Sequence, residues 1–207
     1  MAADEASGPV SLLARARGVL FRSEVEWEVI DTEPATVLGL FIGYACILAA
    51  IRPLAQIPQH LVVSHLAPAS AAELAAIGYG ISLLDVLIMG LVINVLARSY
   101  HGHPNFTQAM KLAVYAGTPA WVAGALDILP IPGFFTLIAG LYGLYILCLG
   151  LPRLMKTPRE DVAGYYVGVV FAAFAVNLIT GWGMGLLNLF LLGGAPLGAA
   201  ALVSPGR

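Results

Sequence analysis

The sequence predicts an all-α fold, a polytopic membrane bundle of five transmembrane helices preceded by a short amphipathic helix at the membrane surface. Apolar residues make up 59% of the 207-residue chain and charged residues 11%, against roughly 45–50% and 25% in soluble proteins. So few charges cannot cover the surface of a soluble domain, and the excess apolar residues must therefore face lipid. The apolar runs are continuous, without the alternation of a β-barrel. The net charge of -2 and the dispersed basic residues give no nucleic-acid-binding signature.

The first predicted element lies in residues 1–34, a segment that we place in the cytoplasm. Between residues 11 and 21 the apolar side chains fall on one helical arc, which predicts a short helix in the inner headgroup region. Three arginines flank the arc and are expected to reach lipid phosphates: Arg15, Arg17 and Arg22. An acidic stretch at residues 24–33, with Trp27 in it, follows. We interpret it as a solvated loop, with a docking surface as the alternative.

Five apolar runs then have about the length that a helix needs to cross ~30 Å of hydrocarbon. They cover residues 35–58, 75–97, 109–129, 133–155 and 162–192. The third and fourth runs are joined only by Pro130, Ile131 and Pro132, which predicts a tight antiparallel hairpin. The membrane domain is thus expected at residues 35–192, with a short tail at residues 193–207.

The distribution of basic residues predicts the orientation. Eight of the ten fall in three segments, namely the N-terminal segment and the regions after the second and fourth runs. They are Arg15, Arg17, Arg22, Arg98, Lys111, Arg153, Lys156 and Arg159. Because basic residues concentrate on the cytoplasmic side, we expect a cytoplasmic N-terminus and an external C-terminus.

Ionisable residues inside a membrane span are costly, and three of those in the runs are candidates for function. Arg52 and Asp127 lie near the outer ends of the first and third runs, where they can reach interfacial water. Asp85 lies midway along the second run. It must be protonated, paired with a cation such as Arg52, or beside a water-filled cavity. A transport or proton role and a hydrogen bond between helices both remain open for it.

Other residues in the runs predict helix packing. Asn94 and Asn177 are expected to hydrogen-bond between helices. Small residues four positions apart allow close approach of helices, in a bundle or a dimer. These pairs are Gly39 and Gly43, Gly164 and Gly168, and Gly181 and Gly185. Pro119 predicts a kink in the third span, with Thr118 available for the carbonyl group that the proline frees.

Motifs for catalysis or cofactor binding are not found: the sequence lacks H-E-x-x-H, G-x-S-x-G, a P-loop and G-x-G-x-x-G. We therefore predict a protein that is not an enzyme and has no cofactor. His101 and His103 are weak candidates for metal binding, because imidazole is a common ligand but no third ligand has a convincing spacing.

Several segments, in this order, resemble one known family. They are residues 25–33 (VEWEVIDTE), 109–124 (AMKLAVYAGTPAWVAG), 140–155 (GLYGLYILCLGLPRLM) and 164–166. The chain is similar to the Yip family, with its Ypt/Rab-interacting-protein domain, in the bacterial branch of five-pass membrane proteins. The signature positions that match are Tyr115, Thr118, Pro119, Tyr142, Tyr145, Gly150 and Pro152.

The resemblance implies a five-helix inner-membrane protein with a cytoplasmic N-terminus and no catalytic residues. Eukaryotic members bind Rab GTPases in vesicle traffic, a partner not expected for a bacterial member. The leading hypothesis is a self-associating protein that organises or shapes the bilayer or scaffolds other membrane proteins. The alternative is a small transporter or ion conduit that uses Asp85 and the kinked third span. A weaker alternative is metal handling through His101 and His103.

Overall fold

The computed structural model describes residues 11–62, 64–129 and 134–191. Every regular element in these ranges is a helix. The predicted turn at Pro130, Ile131 and Pro132 and the predicted tail at residues 193–207 lie outside the described residues.

The helices share an apolar composition and differ mainly in length. In chain order they are α1 (Leu12–Phe21), α2 (Ser23–Thr32), α3 (Val37–Val62), α4 (Pro68–Ala97), α5 (Phe106–Ala116), α6 (Thr118–Ala123), α7 (Phe134–Leu154) and α8 (Val162–Leu191). One 3-10 turn, Arg98–Tyr100, extends α4, and another, Gly124–Ile128, follows α6. Within α3, Phe41–Ala45 form a π-helical turn.

Four of these helices, α3, α4, α7 and α8, are long and apolar enough to cross a membrane. The prediction of an all-helical, multi-pass membrane protein is therefore confirmed for the described residues. The count of five spans is not confirmed. The predicted third span, residues 109–129, is divided among α5, α6 and the turn Gly124–Ile128, each shorter than the roughly 20 residues of a straight crossing.

Local chemistry explains where the helices begin. The side chain of Thr36 caps α3 by accepting a hydrogen bond from the Gly39 amide at 3.1 Å. Asn105 caps α5 in the same way. Pro68 occupies the first turn of α4, where a proline ring fits without loss of a hydrogen bond. This helix therefore starts earlier than the predicted residue 75.

The acidic stretch at residues 24–33 is helix α2, so the prediction of a solvated loop is wrong. Trp27 and Ile30, three positions apart, share one face of α2 and are each 1% exposed. That face packs against α7, where the indole Nε1 of Trp27 donates a hydrogen bond to the carbonyl oxygen of Ile146 at 3.0 Å. An apolar stripe within an acidic segment is what docks it on the bundle.

The third span breaks at Gly117, two residues before Pro119. A proline in the first turn of α6 lacks the amide that would continue α5, so the helix restarts at Thr118. The expectation that Thr118 satisfies a freed carbonyl group is wrong. Its hydroxyl instead lies 2.9 Å from the hydroxyl of Tyr44, which joins α6 to α3.

The bundle is tightest around α5 and loosest around α8. Helix α4 packs between α5 and α8, and α7 packs against α2, α5 and α6. Only 11% of the most apolar stretch of α8 is buried inside the protein, because α8 contacts mainly α4. This loose packing leaves space between α8 and the other long helices.

Candidate functional site

A cavity of about 570 Å³ lies between α3, α4, α5, α6, α7 and α8. Glycines contribute to this space, most clearly at Gly140 and Gly181, where an added Cβ would meet nothing within 4 Å. Five of them line it: Gly78, Gly117, Gly140, Gly143 and Gly181. The break in the third span therefore contributes to the wall through Gly117.

Asp85 belongs to the wall of this cavity. Ser82, one helical turn earlier in α4, lines it on the same face. Thr180 of α8 stands beside the Asp85 carboxyl group. The Asp85 Oδ1 atom is buried and has no hydrogen-bond partner among the residues that the structure describes. A polar oxygen in this state is costly unless water, a proton or a ligand satisfies it.

Polar groups from three helices share the cavity with Asp85. From α3, α4 and α8 they are Arg52, Gln56, Gln59, His60, Ser82, Asn177 and Thr180. A wall that combines such groups with apolar surface is typical of a site for a small molecule.

Arg52 pairs with Asp127 and not with Asp85. Its Nε lies 2.8 Å from the Oδ2 of Asp127, and the Gln56 amide donates to the same oxygen at 3.1 Å. Thr136 donates to Oδ1 of Asp127 at 3.1 Å. The close approach of α3 to the turn Gly124–Ile128 makes the pair, because a Cβ on Gly124 would lie 2.5 Å from the Arg52 Cβ.

These contacts correct two predictions. Arg52 does not pair with Asp85, and Asp127 does not reach interfacial water, since it is only 7% exposed. Asp127 is not itself part of the cavity wall among the described residues, although its partner Arg52 is. The structure thus brings Asp85 and Arg52 to one cavity and places Asp127 behind it.

The two asparagines do not join helices as predicted. The Asn177 side-chain amide donates to the carbonyl oxygen of Ala173 in its own helix at 2.9 Å, and the residue lines the cavity. Asn94 Oδ1 is buried without a hydrogen-bond partner in the described part of the chain. For both residues, the position along the sequence indicated how deep in the membrane the side chain lies, but not towards which neighbouring helix it points.

The predicted glycine pairs mostly face side chains or open space. Gly164 and Gly168 receive the side chain of Tyr100, since a Cβ would lie 3.0 Å from its Cε1 at Gly164 and 3.2 Å from its hydroxyl oxygen at Gly168. Tyr100 in turn stacks on Tyr165, with ring centroids 5.4 Å apart. The pairing of Gly164 with Gly168 therefore makes room for a tyrosine of the same chain and not for another helix backbone.

The remaining predicted glycines show the same pattern. A Cβ on Gly39 would meet only the Thr36 cap, at 2.9 Å. Gly43, Gly181 and Gly185 have nothing within 4 Å, and Gly181 faces the cavity. Close approach to a neighbouring helix backbone is found instead at Gly143, where a Cβ would lie 2.6 Å from the carbonyl oxygen of Ala116.

The signature residues of the third span form the centre of the core. Tyr115 makes edge contacts with the rings of Trp27 and Tyr44, at centroid distances of 6.3 and 5.0 Å. The guanidinium carbon of Arg15 lies 5.8 Å from the centroid of the Tyr115 ring. This cluster links α1, α2, α3 and α5, so the signature residues act as structural positions in this chain.

The signature residues of α7 hold the N-terminal helices. Gly150 leaves room for the indole of Trp27, and Pro152 follows within the last turn of α7. Tyr142 and Tyr145 stack with centroids 5.9 Å apart and are partly exposed. The Tyr142 hydroxyl donates to the carbonyl oxygen of Leu20 at 2.5 Å, which ties α7 to α1.

Arg15 is buried against its own chain, so the prediction that it reaches lipid phosphates is wrong. It is 5% exposed and forms ion pairs with Glu26, at 2.6 Å, and with Glu33. Burial alone would lower the pKa of Arg15, but the hydrogen bond and charge of Glu33, together with Tyr115 and Glu26, raise it. Arg15 therefore remains a cation and fastens α1 to both ends of α2.

Lys111 and Gln108, which sequence reasoning did not single out for this role, complete that attachment. The Lys111 ammonium group donates to the carbonyl oxygens of Ile30 and Glu33, each at 2.7 Å. A lysine on the last carbonyl groups of a helix satisfies atoms that the helix itself leaves free. The Gln108 amide donates to the Asp31 carboxylate at 2.9 Å.

The histidine pair lies away from the cavity. His101 is exposed, and its Nδ1 lies 2.9 Å from the Asp161 carboxylate. The backbone amide of His103 donates to the carbonyl oxygen of Met155 at 2.7 Å. Among the described residues, no group of three or more His, Cys, Asp or Glu side chains is arranged to hold a metal ion.

Comparison with known proteins identifies the family. The sequence matches the Yip1 domain over residues 17–181, which is most of the chain. The chain belongs to the Yip1 domain family. The family prediction is therefore confirmed, and the matched range contains the cavity residues Arg52, Asp85 and Thr180.

Two curated relatives of this Yip1-domain chain are inner membrane proteins of Escherichia coli. Inner membrane protein YohC of strain K12 is 27% identical over 156 residues, which cover 70% of this chain and 80% of YohC. YohC of Escherichia coli O6:H1, strain CFT073, matches to the same extent. No solved structure matches the chain. The chain is thus an integral, multi-pass membrane protein and a homologue of a bacterial inner membrane protein.

Proposed function

We propose that this Yip1-domain protein is a small, non-enzymatic transporter or conduit whose solute site is the cavity at Asp85. The observation that carries the proposal is Asp85, which lines a 570 Å³ cavity and whose buried Oδ1 has no hydrogen-bond partner among the described residues. Ionisable residues inside membrane segments characteristically mark solute and ion pathways. A cavity of this size gives the carboxyl group room for water or a solute, which a dry helix contact would not.

The interrupted third span supports the same function. Transporters place their sites at breaks in transmembrane helices, where irregular backbone lines a cavity. Here Gly117, at the break between α5 and α6, and Trp121, one turn later in α6, both line the cavity. The Trp121 indole also donates to the Ser82 hydroxyl at 3.2 Å. The break is therefore joined to the turn of α4 that carries Asp85.

We also propose that α5, α6 and the turn Gly124–Ile128 together make a fifth crossing. Three side chains of this segment contact α3 and the residues just before α3. The contacts follow the same order along the two segments, which therefore run parallel to each other, as a first and a third crossing do. The pairs are Lys111 with Glu33, Thr118 with Tyr44, and Asp127 with Arg52. Residues 37–52 of α3 span roughly 22 Å of helix, and the non-helical residues 33–36 lengthen the segment towards the ~30 Å hydrocarbon thickness. With five crossings and a cytoplasmic N-terminus, the C-terminus is external.

Reporter fusions test this topology. We expect alkaline phosphatase fused to the C-terminus to be active, because its disulfides form only outside the cytoplasm. Green fluorescent protein at the same position should stay dark, and at the N-terminus it should fluoresce. A fluorescent C-terminal fusion with an inactive phosphatase fusion would indicate four crossings.

Solute uptake into proteoliposomes tests the function. The panel includes small cations, anions and neutral polar compounds. We expect at least one of them to be taken up, and Asp85→Asn to reduce that uptake roughly tenfold or more. Glu73→Gln is the matched control, because Glu73 is an exposed acid of the same helix that does not line the cavity. Equal uptake by the wild type and Asp85→Asn, or no uptake of any solute, would contradict the proposal.

Self-association that organises the membrane is the second candidate function. The observation that favours it is the outer face of α8, where Phe171, Phe174 and Trp182 are each about 70% exposed and Gly185 is open. A second copy that packs there would bury large aromatic side chains against a small residue. The mass of the purified protein in nanodiscs tests this candidate. A dimer or larger assembly that Gly185→Leu dissociates would support it, and a monomer would reject it.

A further inference from the structure

We infer that the solute of the cavity is a small monovalent cation, bound through Asp85. This inference rests on the proposed function, namely that the cavity takes up a polar solute. Three observations lead to it: the charge balance of the wall, the orientation of the polar groups near Asp85, and the size of the space.

The charge balance favours a cation. The charged or titratable side chains of the wall include Arg52, His60 and Asp85. Asp127 compensates Arg52 from behind the wall at 2.8 Å. His60 lies eight positions beyond Arg52 on α3, roughly 12 Å along that helix. Asp85 takes part in no ion pair among the described residues. When Asp85 is ionised, it therefore gives the cavity one negative charge that no other side chain compensates.

Three polar side chains of the cavity wall near Asp85 donate hydrogen bonds to other partners. Thr180 donates to the carbonyl oxygen of Val176 at 2.9 Å, and the Trp121 indole donates to Ser82. The side-chain amide of Asn177 donates to its own helix. Because its one hydrogen is on Val176, the Thr180 hydroxyl oxygen presents lone pairs beside the Asp85 carboxyl group. A cation is the ligand that a carboxylate with lone-pair neighbours favours.

The charge of the site indicates a ligand with one positive charge, and the volume of the cavity has room for it. Divalent cations in proteins usually gather several oxygen ligands, often more than one carboxylate, whereas this wall offers one uncompensated carboxylate. A volume of about 570 Å³ far exceeds the ~30 Å³ of one water. It accommodates a small organic ammonium ion or a partly hydrated inorganic ion. Trp121, also in the wall, provides an aromatic ring that attracts organic cations.

A single cysteine in the cavity tests the inference. Ser82→Cys replaces a wall hydroxyl by a thiol of similar size, in a protein whose Cys46 and Cys148 are changed to alanine. The protein in nanodiscs is treated with a cationic and an anionic methanethiosulfonate of similar size, with each rate divided by that for a free thiol. We expect the cationic reagent to react about tenfold faster or more, because Asp85 attracts it. Asp85→Asn should bring the ratio close to one, and Glu73→Gln should leave it unchanged.

Occupancy of the cavity by a cation is measured in the same protein from the rate at which a neutral methanethiosulfonate modifies the thiol. This rate does not change when added salt screens the charges. Tetramethylammonium chloride should slow this reaction in a saturable way when Asp85 is present, and not in Asp85→Asn. If no reagent reacts, the cavity is closed to water and the proposed function fails with the inference. If the reagents react with a ratio at or below one in the Asp85 protein, the cation site alone is rejected. That ratio decides even where Asp85→Asn does not fold.

Discussion

Alanine at Gly150 is expected to lower the free energy of unfolding by about 1–3 kcal/mol, the usual range for overpacking a filled core. A Cβ at this position would lie 2.6 Å from Cε2 of Trp27 and 2.7 Å from Cδ2 of Leu112. Neither side chain has room to move, because Trp27 is 1% exposed and Leu112 is fully buried. The hydrogen bond from Trp27 to Ile146 also resists displacement. Helix α2 should therefore loosen from α7.

The measurement is thermal unfolding in detergent, with Gly140→Ala as the matched control. Gly140 lies in the same helix, and a Cβ there has nothing within 4 Å. Both substitutions favour helix formation equally, so the difference between them reports packing alone. A Gly150→Ala protein as stable as the Gly140→Ala protein would show that Trp27 does not occupy this position.

Arg15→Gln is expected to lower the free energy of unfolding by about 3 kcal/mol, because removal of one partner leaves the other charges of a buried network unpaired. The Arg15 and Glu26 side chains are 6% and 18% exposed, so water compensates little of the lost pairing. Glu33 is 33% exposed and loses less, which places the expected cost near the lower end of the range for buried pairs. Helix α1 should detach first, since Arg15 is its link to α2.

Arg17→Gln is the control for this substitution. Arg17 lies two residues further along α1 and is exposed, with no ion pair in the described part of the chain. Limited proteolysis together with thermal unfolding would show the difference: α1 becomes accessible in Arg15→Gln and stays protected in Arg17→Gln. Equal behaviour of the two variants would mean that the arginines serve the membrane surface alike, as the sequence pattern indicated.

The four long helices were predictable from hydropathy, since continuous apolar runs of this length have few alternatives to a membrane span. Their ends were less predictable. Pro68 extends α4 backward because proline begins helices readily, and α3 continues through Pro58 to Val62. The interruption of the third span was predictable from Pro119, although the break itself falls at Gly117.

The candidate site was predictable in part. The depth of Asp85 singled it out, because a charge at the middle of a span has no access to interfacial water. The pairing of Arg52 with Asp127 was not predicted, since the residues are 75 positions apart and position along a helix does not reveal facing direction. Both residues nevertheless lie near the outer ends of their predicted spans, and this common depth was a signal in the sequence that they can pair.

In the N-terminal segment the sequence pattern predicted contact with lipid where the structure has contacts within the chain. Arginines beside an apolar arc are typical of a membrane-surface helix, and for the exposed Arg17 that interpretation stands as a prediction. Arg15 departs from it because Glu26 and Glu33 lie within reach once α2 folds back on α1. Trp27 and Ile30, three positions apart inside an acidic stretch, were the signal that this segment is a docked helix.

The central claim is that a water-filled cavity reaches Asp85, and two neighbouring glycines of α8 test it most directly. Gly181 lines the cavity, whereas Gly183 does not; Cβ atoms at both would have nothing within 4 Å. Gly181→Cys and Gly183→Cys, in a protein without Cys46 and Cys148, therefore place a thiol at nearly the same depth on different faces of one helix. Labelling by a membrane-impermeant, hydrophilic thiol reagent in nanodiscs is expected at Gly181→Cys and not at Gly183→Cys. Failure to label Gly181→Cys, or equal labelling of both, would contradict the account.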